Sequence, residues 1–392
     1  MFSACNIEPI PTGIPPFYTE TKAPHTATVE ATSTLPINIT TNARTTTAAT
    51  PYPEPILQAT GAYPYPVPLE HIVLPYATEP AGSPPGDRLD DLELITVRNS
   101  SELRQFGLIN VYTDTARVIS IDFSPDGNKI AFGNWDGNVY LFELRSGEVL
   151  YKLNAGMVEK LFFDPNGKYL VVGGGGQIFL LDLDTLKTRI IPAHLGANRG
   201  LRAIAISPDG KLIVSGGNDG RVRLWDVQTG ELLNAWYELR GIDDMAFSPD
   251  GKMVVTAGGR IRLWDYEAGL AFKTIDCACD IINSIAFSPN GDILASGGRD
   301  YVLRLWEVKT GKELSELKGP NSWINSMAFS PDGSILVVGW VGELQFWQVE
   351  PLVLLRTIPG GVNSITFNPS GYILALPGGG KINLYGVLSP GE

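Results

Sequence analysis

Apolar and polar residues alternate with a period of two along most of this chain, and the alternation is cut at regular intervals by the same kind of turn. VISIDF (118–123) runs into Ser-Pro-Asp-Gly, KIAFGN (129–134) follows, and a second turn leads into NVYLFEL (138–144). Proline presets φ in such a turn, Asp or Asn bonds its own backbone, and Gly accepts positive φ. Short alternating runs between these turns predict antiparallel strands in meanders, with no long helical stripe anywhere.

The phrase recurs seven times, with its proline at Pro125, Pro165, Pro208, Pro249, Pro289, Pro331 and Pro369. The steps between them are 40, 43, 41, 40, 42 and 38 residues. The third strand of each unit carries one large apolar residue at a fixed register: Phe142, Leu181, Trp225, Trp264, Trp306, Trp347 and Tyr385. A unit of this size cannot bury a core alone, so neighbouring units must stack.

The fullest copy, KLIVSGGNDGRVRLWDVQTGELL (211–233), resembles a blade of the WD-repeat β-propellers, and the resemblance covers about residues 103–386. It implies an all-β fold: seven blades of four antiparallel strands in a ring. It also implies a hydrogen-bonded chain of His194, Ser215, Asp219 and Trp225 within one blade, with His194 structural rather than a ligand. Departures are clear. At the anchor position Trp-Asp survives only at Trp225-Asp226 and Trp264-Asp265, and the other two histidines, His25 and His71, lie far upstream. Most blades are therefore expected to rely on apolar packing. The last repeat lacks a fourth strand of its own, and ELRQFGLINV (102–111) is expected to supply it and close the ring.

Composition changes near residue 90. Sixteen of the 29 prolines precede Asp90, among threonines and alanines as in TTNARTTTAATPYPEP. Such a segment cannot assemble a core, so residues 6–90 are expected to be a disordered Pro/Thr-rich linker and 91–392 the propeller. MFSAC (1–5) resembles the end of a bacterial lipoprotein signal. That resemblance implies lipidation at Cys5 and a lipid-anchored protein outside the cytoplasm at the cell membrane, the linker acting as spacer. A cytoplasmic scaffold is the alternative.

A net charge of −12 argues against general nucleic-acid binding, which needs a basic face. No apolar run reaches the ~18–20 residues of a membrane-spanning helix. There is no Walker loop, no His-Glu-x-x-His and no Gly-x-Ser-x-Gly. VVGGGGQIFLL (171–181) lacks the helix that a phosphate cradle needs and reads as a hairpin. Cys277 and Cys279 have too few companions for a metal site and read as loop residues. Asp243 and Asp244 form the best acidic pair, and without a nucleophile they read as rim residues. No catalytic residue, cofactor or metal is expected.

In the resembling family, the loops before each first strand and between the second and third strands commonly bind partners. On this chain those loops present Trp135, Trp323 and Trp340 with Glu159, Arg199, Arg202, Asp243, Arg299 and Tyr301. The expectation is a non-catalytic, monomeric scaffold that grips a protein or peptide. The alternative is a propeller enzyme or small-ligand binder using the channel mouth.

Overall fold

A computed structural model describes residues 92–93, 95–96, 98–110, 117–194, 200–238, 241–275, 281–378 and 381–388. Cys5, Arg199, Cys277 and Cys279 lie outside them, as do the linker and the start of the chain.

The described residues form seven antiparallel sheets in sequence order. Blade 1 comprises Val118–Phe123, Lys129–Asn134, Asn138–Glu143 and Val149–Asn154, from the innermost strand outward. The inner strands of blades 2 to 6 are Val158–Phe163, Leu201–Ile206, Ile242–Phe247, Ile282–Phe287 and Ile324–Phe329. Blade 7 begins with the short pair Thr366–Phe367 and continues through Leu374–Gly378 and Lys381–Leu388. Its outer strand is Arg104–Asn110, which pairs with Lys381–Gly386, while Leu92–Glu93 pairs with the last two residues of the same strand.

The turns explain the repeated phrase. Ser124 Oγ donates to Asp126 and accepts the Lys129 amide at 2.8 Å, and the Gly127 amide donates to the Ser124 carbonyl. Gly127 has φ +72°, where a β-carbon would be strained. The turns also touch one another: a β-carbon on Gly291 or Gly333 would meet the turn proline of the preceding blade, Pro249 or Pro289, at 3.3–3.4 Å.

The core lies between the blades. Seven apolar clusters are each shared by two neighbours. Phe132 and Phe142 of blade 1 pack with Ala375, Ile382 and Leu384 of blade 7. Ile95 and Leu103, which flank the closing strand's approach, are buried between blades 6 and 7. Side chains on the inner strands, and Ser364 just before that of blade 7, link neighbouring blades. Ser120 Oγ accepts the Leu161 amide, Asp122 the Phe163 amide, Asp244 the Ile285 amide and Ser364 the Ile121 amide. Burial pushes the Asp122 carboxyl from 3.8 up to about 6, against hydrogen bonds from Phe163 and Thr366 that favour its charged form.

The polar chain implied by the resemblance is complete in blade 3. Trp225 Nε1 donates to Ser215 Oγ at 2.8 Å, Ser215 Oγ lies 3.0 Å from His194 Nε2, and His194 Nδ1 lies 3.1 Å from Asp219. Arg223 adds an ion pair to Asp219 at 3.0 Å. Burial, then Arg223, hold the His194 pKa below its usual value, which favours the neutral ring. Apolar packing is not the whole account elsewhere. In blade 4, Trp264 donates to Thr256, and Thr256 donates to Glu238, which pairs with Arg262 at 2.9 Å. Glu238 does there what a histidine does in blade 3. Blade 5 keeps the bond from Trp306 to Ser296 at 2.8 Å and an Arg304–Asp300 ion pair.

Candidate interaction face

At one end of the ring the inner strands begin, and the loops entering each blade emerge beside those joining second and third strands. We call this the upper face. Its second-to-third-strand loops bring Trp135 and Val341 into solvent, and its entering loops bring Met157 and Trp323. Trp135 is 57% and Trp323 44% exposed. Arg299 sits 5.0 Å above the Trp323 ring. Tyr301 stands at φ +65° on the neighbouring loop, a conformation that non-glycine residues seldom adopt.

Trp340 corrects the expectation of a third exposed tryptophan. It is the last residue of Ile335–Trp340, pairs with Ile324 and is 0% exposed. The register shows why. Trp340 occupies the position held in blade 3 by Gly217, which pairs with Leu201. A β-carbon on Gly217 would fall 2.8 Å from His194 Nδ1, because His194 fills that gap from the entering loop. In blade 6 the gap is filled from the strand side instead: the Trp340 indole packs so closely on loop residue Gly319 that no β-carbon fits there. Trp340 supports the face from beneath and offers a partner no surface.

Around the channel, the second residue of each inner strand forms the mouth. In blades 2 to 4 these are Glu159, Arg202 and Asp243, alternating in sign, and Arg202 pairs with Asp243 at 3.1 Å. Desolvation raises the Glu159 pKa while Arg202 opposes it. One residue deeper, Lys160 of blade 2 reaches across Ala203 of blade 3 to Asp244 of blade 4 at 2.6 Å. Asp243 and Asp244 thus face different partners. Asp244 also accepts the Met245 and Ile285 amides at 2.9 and 3.0 Å, so its oxygens are occupied.

Blades 5 and 6 place Asn283 and Asn325 at the same position, and Asn363, at the same distance before its turn proline, precedes the short inner strand of blade 7. Asn283 and Asn363 each donate to the first carbonyl of the next inner strand, Ile324 and Val118. This amide half of the mouth was missed in reading single repeats, and aligning the column 159, 202, 243, 283, 325, 363 exposes it. Among the described residues, no cluster of three or more His, Cys, Asp or Glu side chains is placed to hold a metal.

The described residues thus form seven blades closed into a ring, with Trp135 and Trp323 exposed on loops of one face. The WD40 pattern (WD domain, G-beta repeat) matches residues 107–143, 186–226, 237–265, 272–307 and 311–343. The chain carries WD40 repeats within a seven-bladed β-propeller, an architecture that typically serves as a protein-interaction scaffold. Blade 7 and most of blade 2 escape the pattern, and these are blades with Tyr385 and Leu181 where the tryptophan would stand.

The chain is similar to the cross-pathway control WD-repeat protein 2 of Flammulina velutipes, with 33% identity over 135 residues, 32% of this chain and 43% of that protein. It is similar to the small ribosomal subunit protein RACK1 of Schizosaccharomyces pombe, with 30% identity over 145 residues, 35% of this chain and 43% of that protein. Each match spans less than half the relative's length.

Proposed function

We propose that this protein is a non-catalytic scaffold whose upper face grips a protein or peptide partner. The observation that carries the reading is the pair of exposed tryptophans, Trp135 and Trp323, on the loops of a rigid ring. Tryptophan is enriched among residues that dominate binding energy, and a ring of packed sheets orders such loops before binding. Arg202, Glu159, Asp243, Arg299 and Tyr301 border the same face. The charged side chains of the channel mouth are engaged with one another, which leaves no converging acid and base and disfavours a channel enzyme. Neither relative is named for a catalytic activity. Attachment at Cys5 belongs to the same proposal, and mass spectrometry of the N-terminal peptide from the native host tests it: an unmodified Cys5 removes the tether.

The experiment is selection of binders from a displayed library of random 12-residue peptides on the full chain. Changing Trp135 and Trp323 to Ala together is expected to weaken the selected peptides by about a hundredfold, since two such anchors contribute roughly 2–3 kcal/mol. Changing Lys211 and Lys252, on the opposite face, to Glu is expected to leave them bound. The reverse pattern would place binding on the turn face.

A further inference from the structure

Trp135 belongs to blade 1 and Trp323 to blade 6, so blade 7 alone separates them. Glycines mark the described upper edge of blade 7: Gly360 and Gly361 lead into its inner strand, and Gly378 ends its second. A recess of about 190 Å³ opens there, lined by Arg117, Val118, Asn325, Val341, Asn363 and Pro377 along with two of these glycines. Each tryptophan is tied to its wall through the main chain. The Trp135 amide donates to the Arg117 carbonyl, and the Val341 amide to the Trp323 carbonyl, both at 2.9 Å. The recess wall and the main chain of both tryptophans therefore form one unit.

Some arginines of the ring are neutralised by carboxylates, and others, such as Arg189 on carbonyl oxygens and Arg221 over Tyr237, are not. Arg202, Arg223, Arg262 and Arg304 each hold a carboxylate. Among the described residues, Arg117 and Arg299 have none. Arg117 donates to the Asn363 amide oxygen, Asn363 is itself held by the Val118 carbonyl, and Arg299 lies over Trp323. The recess lining contains no acidic side chain, in a chain of net charge −12. Its volume is below the ~300–1,000 Å³ of small-molecule sites and suits a single side chain.

We propose that this recess receives the carboxylate of an Asp or Glu in an extended segment of a partner protein, with apolar neighbours of that residue on Val341, Trp323 and Trp135. The guanidinium of Arg117, fixed at one end by Asn363, offers its remaining N–H groups to a carboxylate in the fork geometry that arginine favours. Val341 in the lining supplies apolar contact, the exposed tryptophans lie on the loops beyond it, and Gly361 and Gly378 leave room for the segment's backbone. The inference rests on the upper face being the binding face.

The test uses the full chain and the peptides selected above, followed by fluorescence anisotropy. Peptides lost on the double tryptophan change are expected to share an acidic residue beside an aromatic or aliphatic one. Converting that residue to its amide, or Arg117→Gln, should each weaken binding about tenfold, and the two changes together no further, the mark of a direct pair. Arg117→Glu should abolish binding and recover it with a peptide carrying Lys at the acidic position. Unchanged melting temperatures keep folding out of the result. Tryptophan-dependent binders without an acidic preference, or indifferent to Arg117, would overturn the carboxylate assignment while sparing the upper-face reading. Binders indifferent to both tryptophans, or no binders at all, would overturn both.

Discussion

Blades 3 and 7 are built from the same repeat and solve the same problem differently. Blade 3 is self-sufficient: four strands from one continuous stretch, with a buried chain from Trp225 through Ser215 and His194 to Asp219. Blade 7 has a two-residue inner strand, a proline in its second strand, glycines on its upper loops and an outer strand borrowed from residues 104–110. The blade that joins the two ends of the ring also carries Gly360, Gly361 and Gly378 at its upper edge. An internal network gives blade 3 its definition, whereas blade 7 takes its definition from its neighbours, and the recess lies above blade 7.

Removing the borrowed strand should have the largest effect. A chain starting at residue 112 loses Arg104–Asn110 along with the buried Ile95 and Leu103. Compared with a chain starting at residue 91, it should lose on the order of 5 kcal/mol or more in urea unfolding, or fail to fold. Equal midpoints would contradict closure by this strand.

The seam between blades 1 and 7 makes the next effect depend on pH. Asp122 accepts the Phe163 amide of blade 2 and the Thr366 hydroxyl of blade 7, and its carboxyl titrates near about 6 instead of 3.8. A raised carboxyl favours folding in its neutral form. Its contribution is complete below the unfolded value and is lost as pH rises through 6. Asp122→Asn keeps a neutral amide in the same shape, so its stability relative to wild type should rise by roughly 2–3 kcal/mol between pH 4 and pH 8. Urea midpoints at both values check this, and a constant difference would show that Asp122 is not so perturbed.

Blade 3 offers a smaller contrast. Ser215→Ala strands both the Trp225 indole N–H and His194, and should cost about 2 kcal/mol. Ser296→Ala in blade 5 strands only Trp306 and should cost about 1 kcal/mol. Equal costs would mean that His194 adds nothing to the chain.

Much of the ring is legible in the sequence because its period is carried by residues with strict backbone demands. The glycine of each Pro-Asp-Gly-type turn takes φ between +70° and +79°, and the anchors from Phe142 to Tyr385 share one register on the third strand. Residues 102–111 stand out because blade 7 ends one strand short. The interaction face is less legible. Trp135 and Trp340 look alike as aromatics at the close of a second strand, yet one residue of register separates them: Trp340 pairs with Ile324, whereas Trp135 follows Asn134, the partner of Val118. That single step turns one indole inward and the other out. The recess is lined by Gly361, Gly378 and Arg117, and Arg117 belongs to no repeated motif. Glu238 escapes notice because it replaces a histidine with a different donor pattern.

Hydrogen exchange on the full chain, with and without a selected peptide bound, tests the placement of the site most directly. We expect slowed exchange in segments 117–118, 135–137, 323–325, 341–343 and 361–363, which meet only around the top of blade 7. Protection confined to the turns at 207–211 and 248–252, on the opposite face, would contradict it.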